Sequence, residues 1–223
     1  MVRNLIIISA MLLGSLVCAQ GVDGIYQLEI ENDSGLIISR GTGFLVQSKS
    51  NNKPYVLTSF HLVNARLLDA DRVRIKITTG GSKYLKIVAY DELNDMLALS
   101  SEGLNDQALN MSNLCSGDLN VAGYHGEKLI DLNIKGASTI NKGVSKLPIY
   151  LTKGFSGAPV MNVNADVCGM VVLSSEQNAS SVAVSYNMIN NFLDSIDQST
   201  KAFSVRELRL LMGIEENVTT QDE

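Results

Sequence analysis

Gly154-Phe155-Ser156-Gly157-Ala158-Pro159 sets one serine between two glycines, just after a run that reads as a strand. A serine hydroxyl is a weak nucleophile at its ordinary pKa. It needs a base to take its proton and a place for negative charge to develop. Flanking glycines let the main chain bend sharply and turn its N–H groups toward one point, which is how an oxyanion hole is built without side chains. The stretch therefore asks for a histidine and an acid elsewhere in the chain.

The search is short, because the chain holds two histidines, His61 and His125. His61 follows the apolar run Val56-Leu57-Thr58-Ser59-Phe60, so its imidazole sits just past a buried strand, at an edge that can face a cleft. Asp95 stands directly before Met96-Leu97-Ala98-Leu99. A carboxylate there can be shielded from water and still bond an imidazole N–H, fixing its tautomer and stabilising the imidazolium. Asp91 is the rival acid four positions earlier; Asp95 is preferred because the apolar run begins immediately after it. His125 lies in a turn context and reads as a loop residue. Taken singly, each of these has a plainer reading: a turn, a core histidine, a strand-initiating aspartate. Their joint occurrence gives the catalytic reading its weight.

Outward from these residues the chain is mostly short strands. Ile25–Ile30 and Val73–Ile77 alternate as half-buried strands do, while Gly43–Val46 and Tyr55–Thr58 are apolar and β-prone. Asn32–Gly35, Ser50–Lys53 and Thr79–Ser82 supply turns between them. A polar stretch from Glu102 to Ser116 reads as a connector, after which strands resume. Two runs of about six strands suit an all-β architecture of two six-stranded antiparallel β-barrels with C-terminal helices. Barrel one is expected over about 22–102, barrel two over about 116–185, and the whole domain over 20–198. Asn187–Ile196 carries apolar residues at helical spacing. A helical tail follows over 199–223, where Ser204 and Glu207 form a capping box, Phe203 and Leu208 a staple, and Gly213 a stop.

At 223 residues and 45% apolar, the chain has enough length and hydrophobicity for a large core. Formal net charge is −5 with no basic block, which argues against nucleic acid as a partner. Residues 1–19 read as a signal peptide: Arg3, an apolar run from Leu5 to Val17 too short to span a bilayer comfortably, and Val17-Cys18-Ala19 before a cleavage point at Gln20. The expected location is secreted or periplasmic, with no membrane span after cleavage. Cys115 and Cys168 remain in the mature chain; export permits a disulfide, and two separate buried thiols are the alternative. No His/Cys cluster has zinc spacing, and neither a metal nor an organic cofactor is expected.

Gly41-Thr42-Gly43-Phe44-Leu45-Val46, Leu57-Thr58-Ser59-Phe60-His61-Leu62-Val63, Asn94-Asp95-Met96-Leu97 and Gly154–Val160, in that order, resemble the chymotrypsin-like (trypsin-fold) serine proteases. The nearest likeness is to the bacterial branch of glutamyl endopeptidases and high-temperature-requirement proteases. Val121–Glu127 and Val182–Ile189 are similar to that branch's second-barrel opening and its approach to the final helix, so the resemblance spans roughly residues 25–197. It implies a triad of His61, Asp95 and Ser156 in the cleft between barrels, and an oxyanion hole from the Gly154 and Ser156 N–H groups. The reaction implied is acyl transfer from a protein or peptide substrate to Ser156, then hydrolysis.

The same resemblance places the substrate pocket at Tyr150 and Leu151 on one wall and Val172, Leu173 and Ser174 on the other. No acid stands there, so small or medium apolar side chains are expected before the cleaved bond. Phe155 occupies the place of the aspartate that pairs with a freed N-terminus in vertebrate-type enzymes, so that activation switch is excluded. Phe60 is larger than usual before the histidine; it either crowds the site or packs beneath it. The rival expectation is a protease-like binding module with an occluded, inactive site. A secreted esterase is disfavoured by the triad order and the all-β pattern.

Overall fold

The alternating and apolar runs become two antiparallel sheets. The computed structural model describes residues 23–32, 34–64, 74–77, 83–137, 143–196, 200–204, 207, 208 and 212. The expected signal segment and the stop at Gly213 lie outside the described residues. The first sheet is built from β1 (Ile25–Glu31), β2 (Ile37–Gln47), β3 (Pro54–Ser59), β4 (Arg74–Ile77), β5 (Lys83–Leu85), β6 (Ile87–Asp91) and β7 (Met96–Ser100), in the order β5-β4-β1-β2-β3-β7-β6. β5 and β6 are separated by Lys86 alone, yet lie at opposite ends of that order. The single bent segment from Lys83 to Asp91 thus touches both edges and closes the sheet, so the seven segments amount to a six-stranded barrel. A register shift between Ile87 and Ala89 helps the bend.

The second sheet holds β8 (Gly117–His125), β9 (Lys128–Ala137), β10 (Val144–Leu147), β11 (Pro159–Met161), β12 (Val167–Ser175) and β13 (Ser180–Ser185), in the order β10-β13-β12-β11-β8-β9. Every pairing in both sheets is antiparallel. This is the all-β, two-barrel arrangement expected from the strand pattern.

Strand periodicity explains why some runs alternate and others do not. Leu45 and Val56 join Leu28, Ile30 and Phe60 inside the first barrel, whereas Phe44, Val46, Tyr55 and Leu57 face a core between the barrels. A strand apolar on both faces reads as a solid hydrophobic run. The interbarrel core also takes Ala122 and Tyr124 of β8, Met170 of β12, and Ile189, Phe192 and Leu193 of α2 (Tyr186–Asp194). Leu119, Val121, Leu151, Phe155 and Val160 fill the second barrel.

The polar connector is stitched to both sheets. Leu109 N–H donates to Leu45 O at 2.8 Å, and Val167 N–H donates to Asn110 O at 2.8 Å. Just beyond, Cys115 is joined to Cys168 of β12 by a disulfide. After α2 the chain returns to the first barrel, where Phe203 and Ile87 exchange two backbone bonds of 2.7 Å and Leu208 is fully buried. Ser204 caps as its sequence signature predicts: its N–H donates to Glu207 Oε2 at 2.6 Å, and Glu207 N–H donates back to Ser204 Oγ at 3.2 Å. The Ser204 N–H, and the Ser204 hydroxyl that also donates to Glu207 Oε2 at 2.9 Å, hold the exposed Glu207 carboxyl below its ordinary pKa.

Candidate active site

The chain turns after β3 into one helical turn, α1 (His61–Asn64), too short to show helical periodicity in the sequence. Like any first-turn donor, the His61 N–H lacks a partner inside its helix. Asp95 supplies one: its Oδ1 accepts from His61 N–H at 2.7 Å, while its Oδ2 lies 2.6 Å from His61 Nδ1. The Asp95 main-chain oxygen also accepts from Phe60 N–H at 3.2 Å. Asp95 makes these contacts from φ 55°, a left-handed conformation that aspartate tolerates better than most residues. His61 Nε2 lies 3.0 Å from Ser156 Oγ. The carboxylate, imidazole and hydroxyl thus form one continuous chain, with the His61 side chain 44% and the Asp95 side chain 25% exposed.

Asp91, the rival acid, does something else. Its Oδ1 accepts from Asn94 N–H at 3.0 Å and its Oδ2 from Asn94 Nδ2 at 2.6 Å. It braces the turn that presents Asp95. His125 is exposed, with Nδ1 3.0 Å from Thr152 Oγ1 and 3.3 Å from Lys153 O.

Ser156 is held by main chain. Gly154 has φ +103° and Gly157 φ +81°. A Cβ at Gly154 would collide with Tyr124 O, and one at Gly157 with Thr42 O and Thr58 Oγ1. Within the loop, Phe155 N–H donates to Thr152 O, Gly157 N–H to Val171 O and Ala158 N–H to Phe155 O. Between Gly154 and Ala158, the two N–H groups that meet no acceptor among the described residues are those of Gly154 and Ser156. These are the pair a developing oxyanion would need.

Thr42 is the residue that sequence reasoning missed. It is fully buried on β2. Its N–H donates to Ser156 O at 2.9 Å, its Oγ1 donates to Gly154 O at 2.7 Å, and that oxygen accepts from Tyr124 N–H at 2.9 Å. Its carbonyl accepts from Thr58 Oγ1 at 2.7 Å. One first-barrel side chain therefore fixes the second-barrel loop that carries Ser156. The available signal was a hydroxyl residue between two glycines in an otherwise apolar strand.

Both phenylalanines pack beneath the site rather than into it. Phe60 is buried and stacks on Tyr90 with ring centroids 5.2 Å apart. Phe155 is buried in the second core over Gly123, where a Cβ would strike its ring.

Two cavities flank His61. One, of about 610 Å³, is lined by residues that include Gly41, Arg40, Leu62, Lys153, Gly154 and Ser156. The other, of about 390 Å³, is lined by Leu93, Asn94, Asp95, Val144, Val172, Leu173, Val182 and Val184. Of the five expected pocket residues, Val172 and Leu173 line the second cavity; Tyr150, Leu151 and Ser174 line neither. Ser181 is the physical reason. Its Oγ accepts from Leu151 N–H at 3.0 Å, donates to Ile149 O at 2.8 Å and lies 2.9 Å from Ser174 Oγ. This clasp draws the two expected walls together, and Leu151 is sealed in the second core.

The fold has relatives among solved structures. The chain is similar to the Rv3671c protease from M. tuberculosis in its active form (19% identity, TM-score 0.64), over 82% of this chain and 84% of that one. It is similar to the serine endoprotease from Yersinia pestis (18%, TM-score 0.62), over 79% of this chain and 64% of that one. A human pathogenic astrovirus serine protease also aligns (20%, TM-score 0.52), over 72% and 88% of the two chains. No protein-family model matches the chain, and no curated protein matches it. The chain has the trypsin-like, double-barrel fold.

Proposed function

We propose that the chain is an exported serine endopeptidase, nearest the bacterial branch that its motifs resemble. The observation that carries this reading is the unbroken line from Asp95 through His61 to Ser156, at 2.6 and 3.0 Å. Asp95 Oδ2 accepts from Nδ1–H, which leaves the Nε2 lone pair facing the serine hydroxyl. His61 Nε2 takes the Ser156 proton as Oγ bonds to the scissile carbonyl carbon. The carbonyl oxygen gains charge against the N–H groups of Gly154 and Ser156. The C–N bond then breaks, His61 returns the proton to the leaving amine, and Ser156 is left acylated. Water repeats the sequence to release the acid.

The segment before the cleaved bond lies along Val172–Ser174, beside an apolar cavity whose wall includes the exposed Leu93, Val144 and Leu173. Small or medium apolar side chains suit it, and the Ser181 clasp disfavours large ones next to the bond. Export rests on the leader-like residues 1–19 and fits the Cys115–Cys168 disulfide. No helix among the described residues is long and apolar enough to cross a membrane.

The same clasp favours a second reading, a binding module that does not cut. A fluorophosphonate probe separates the two. The enzyme reading expects labelling that disappears in Ser156→Ala, together with cleavage of apolar peptides. Folded protein that takes no label favours the binder. A cleavage profile dominated by acidic or basic residues before the bond sinks the apolar assignment.

A further inference from the structure

The larger cavity differs in chemistry from its neighbour. Its charged lining side chains are Arg40 and Lys153, and no carboxylate lines it. This stands out on a chain of net charge −5. Arg40 is pre-aimed. Its Nε donates to Glu29 Oε1 at 3.0 Å, and the Glu29 side chain is only 9% exposed, so a fixed anchor holds one edge of the guanidinium. That bond uses Nε and leaves the two terminal nitrogens, on a side chain 46% exposed, for the cavity. A guanidinium with its outer nitrogens available binds a carboxylate in a two-pronged fashion, whereas an ammonium such as Lys153 adds charge without fixed geometry. Ile37, Ile38 and Leu62 line the same space and cover the approach with apolar surface.

We propose that this cavity is a carboxylate-reading subsite for the part of the substrate after the cleaved bond, with Arg40 as the specificity-determining residue and Lys153 as its helper. The proposal rests on the endopeptidase reading, in which the segment before the bond lies along Val172–Ser174 on the other side of His61. Two carboxylates share this chemistry: an acidic side chain two or three residues past the bond, and the free C-terminus of a short substrate.

The test uses peptides of one apolar sequence before the bond and four endings after it: Glu with an amidated end, Gln with a free terminal carboxylate, Gln amidated, and Lys amidated. Cleavage by the wild-type chain is followed as kcat/KM, and binding to the Ser156→Ala chain by fluorescence polarisation. The Glu or the free-carboxylate ending is expected to bind and react roughly five- to tenfold better than the neutral amide. The Lys ending is expected to be poorest, and the preference should shrink in high salt. Whichever acid ending wins identifies the source of the carboxylate. Lys153→Gln, an exposed position, should reduce the preference, and Arg40→Lys, which keeps the charge opposite Glu29, should reduce it further; fluorophosphonate labelling should persist in both. Equal handling of all four endings by an active enzyme overturns this proposal and leaves the endopeptidase reading standing. So does a preference that survives both substitutions. Failure of every peptide to bind or react overturns both.

Discussion

The two halves of the proposed triad are held in different ways. In the first barrel, Asp95 grips its neighbours through its own side chain, with one carboxylate oxygen on the His61 main chain and the other on the imidazole. In the second, Ser156 is placed mainly by backbone, through glycines at positive φ and the Thr42 N–H on Ser156 O, with the Thr42 hydroxyl bracing Gly154 O. A site built from side-chain chemistry loses rate when that chemistry changes, while its fold survives. One built from backbone geometry loses rate and stability together.

Asp95→Asn puts the largest strain on this contrast. The asparagine can still accept from His61 N–H, so the fold should keep its melting temperature to within a few degrees. An amide in place of Oδ2 stabilises the wrong imidazole tautomer, and kcat should fall by about 10⁴-fold. Parallel thermal melts and peptide hydrolysis check this. A large loss of stability with little loss of rate would show that Asp95 is a turn residue first.

Gly154→Ala attacks the other half. Alanine at φ +103° is strained by roughly 1–3 kcal/mol, and its methyl meets Tyr124 O. The loop must shift, taking one proposed oxyanion donor with it, so kcat should drop about 10²- to 10³-fold along with the melting temperature. A variant that loses rate at unchanged stability would mean the loop relaxes freely, and the contrast between the halves would fail.

This contrast also explains what could be read in advance. The side-chain half of the candidate site was legible because His61 and Asp95 each abut a buried strand and occur in order with Ser156. The glycines marked the backbone half only in that company, since a serine between two glycines is by itself more plainly a turn. The two sheets followed from strand periodicity, although α1 is a single turn without a period, and the bent β5–β6 segment looks like one strand in the sequence. Thr42 was hard to find because its four bonds join segments as far as 114 residues apart in sequence. Leu151 and Ser174 line neither cavity for a similar reason: the Ser181 clasp that pulls their segments together is a tertiary contact between hydroxyls and main chain. Such hydroxyls carry no local pattern.

Thr42→Val therefore gives an intermediate effect. The shape is kept, but Tyr124 N–H and Gly154 O lose a buried partner, at a cost of about 1–3 kcal/mol. Because Gly154 O belongs to the loop that holds the proposed oxyanion donors, kcat should fall by roughly ten- to a hundredfold, with KM little changed. Denaturant melts and initial rates on one peptide measure both. If stability falls and kcat does not, Thr42 merely glues the barrels together.

Asp91→Asn tests the first half at its weakest point. Asp91 touches neither His61 nor Ser156; it accepts two bonds from Asn94 and so shapes the turn before Asp95. An asparagine keeps one acceptor for the Asn94 N–H and gives up the stronger charge-assisted bond. Since the turn is partly solvated, water can replace the lost partner, and the cost should stay below about 1 kcal/mol. The rate should change by less than about threefold, because Asp95 has direct contacts of its own to His61 and Phe60 that hold it in register. A fall approaching that of Asp95→Asn would reverse the assignment of the acid. It would also show that the side-chain half depends on backbone placement as much as the serine half does.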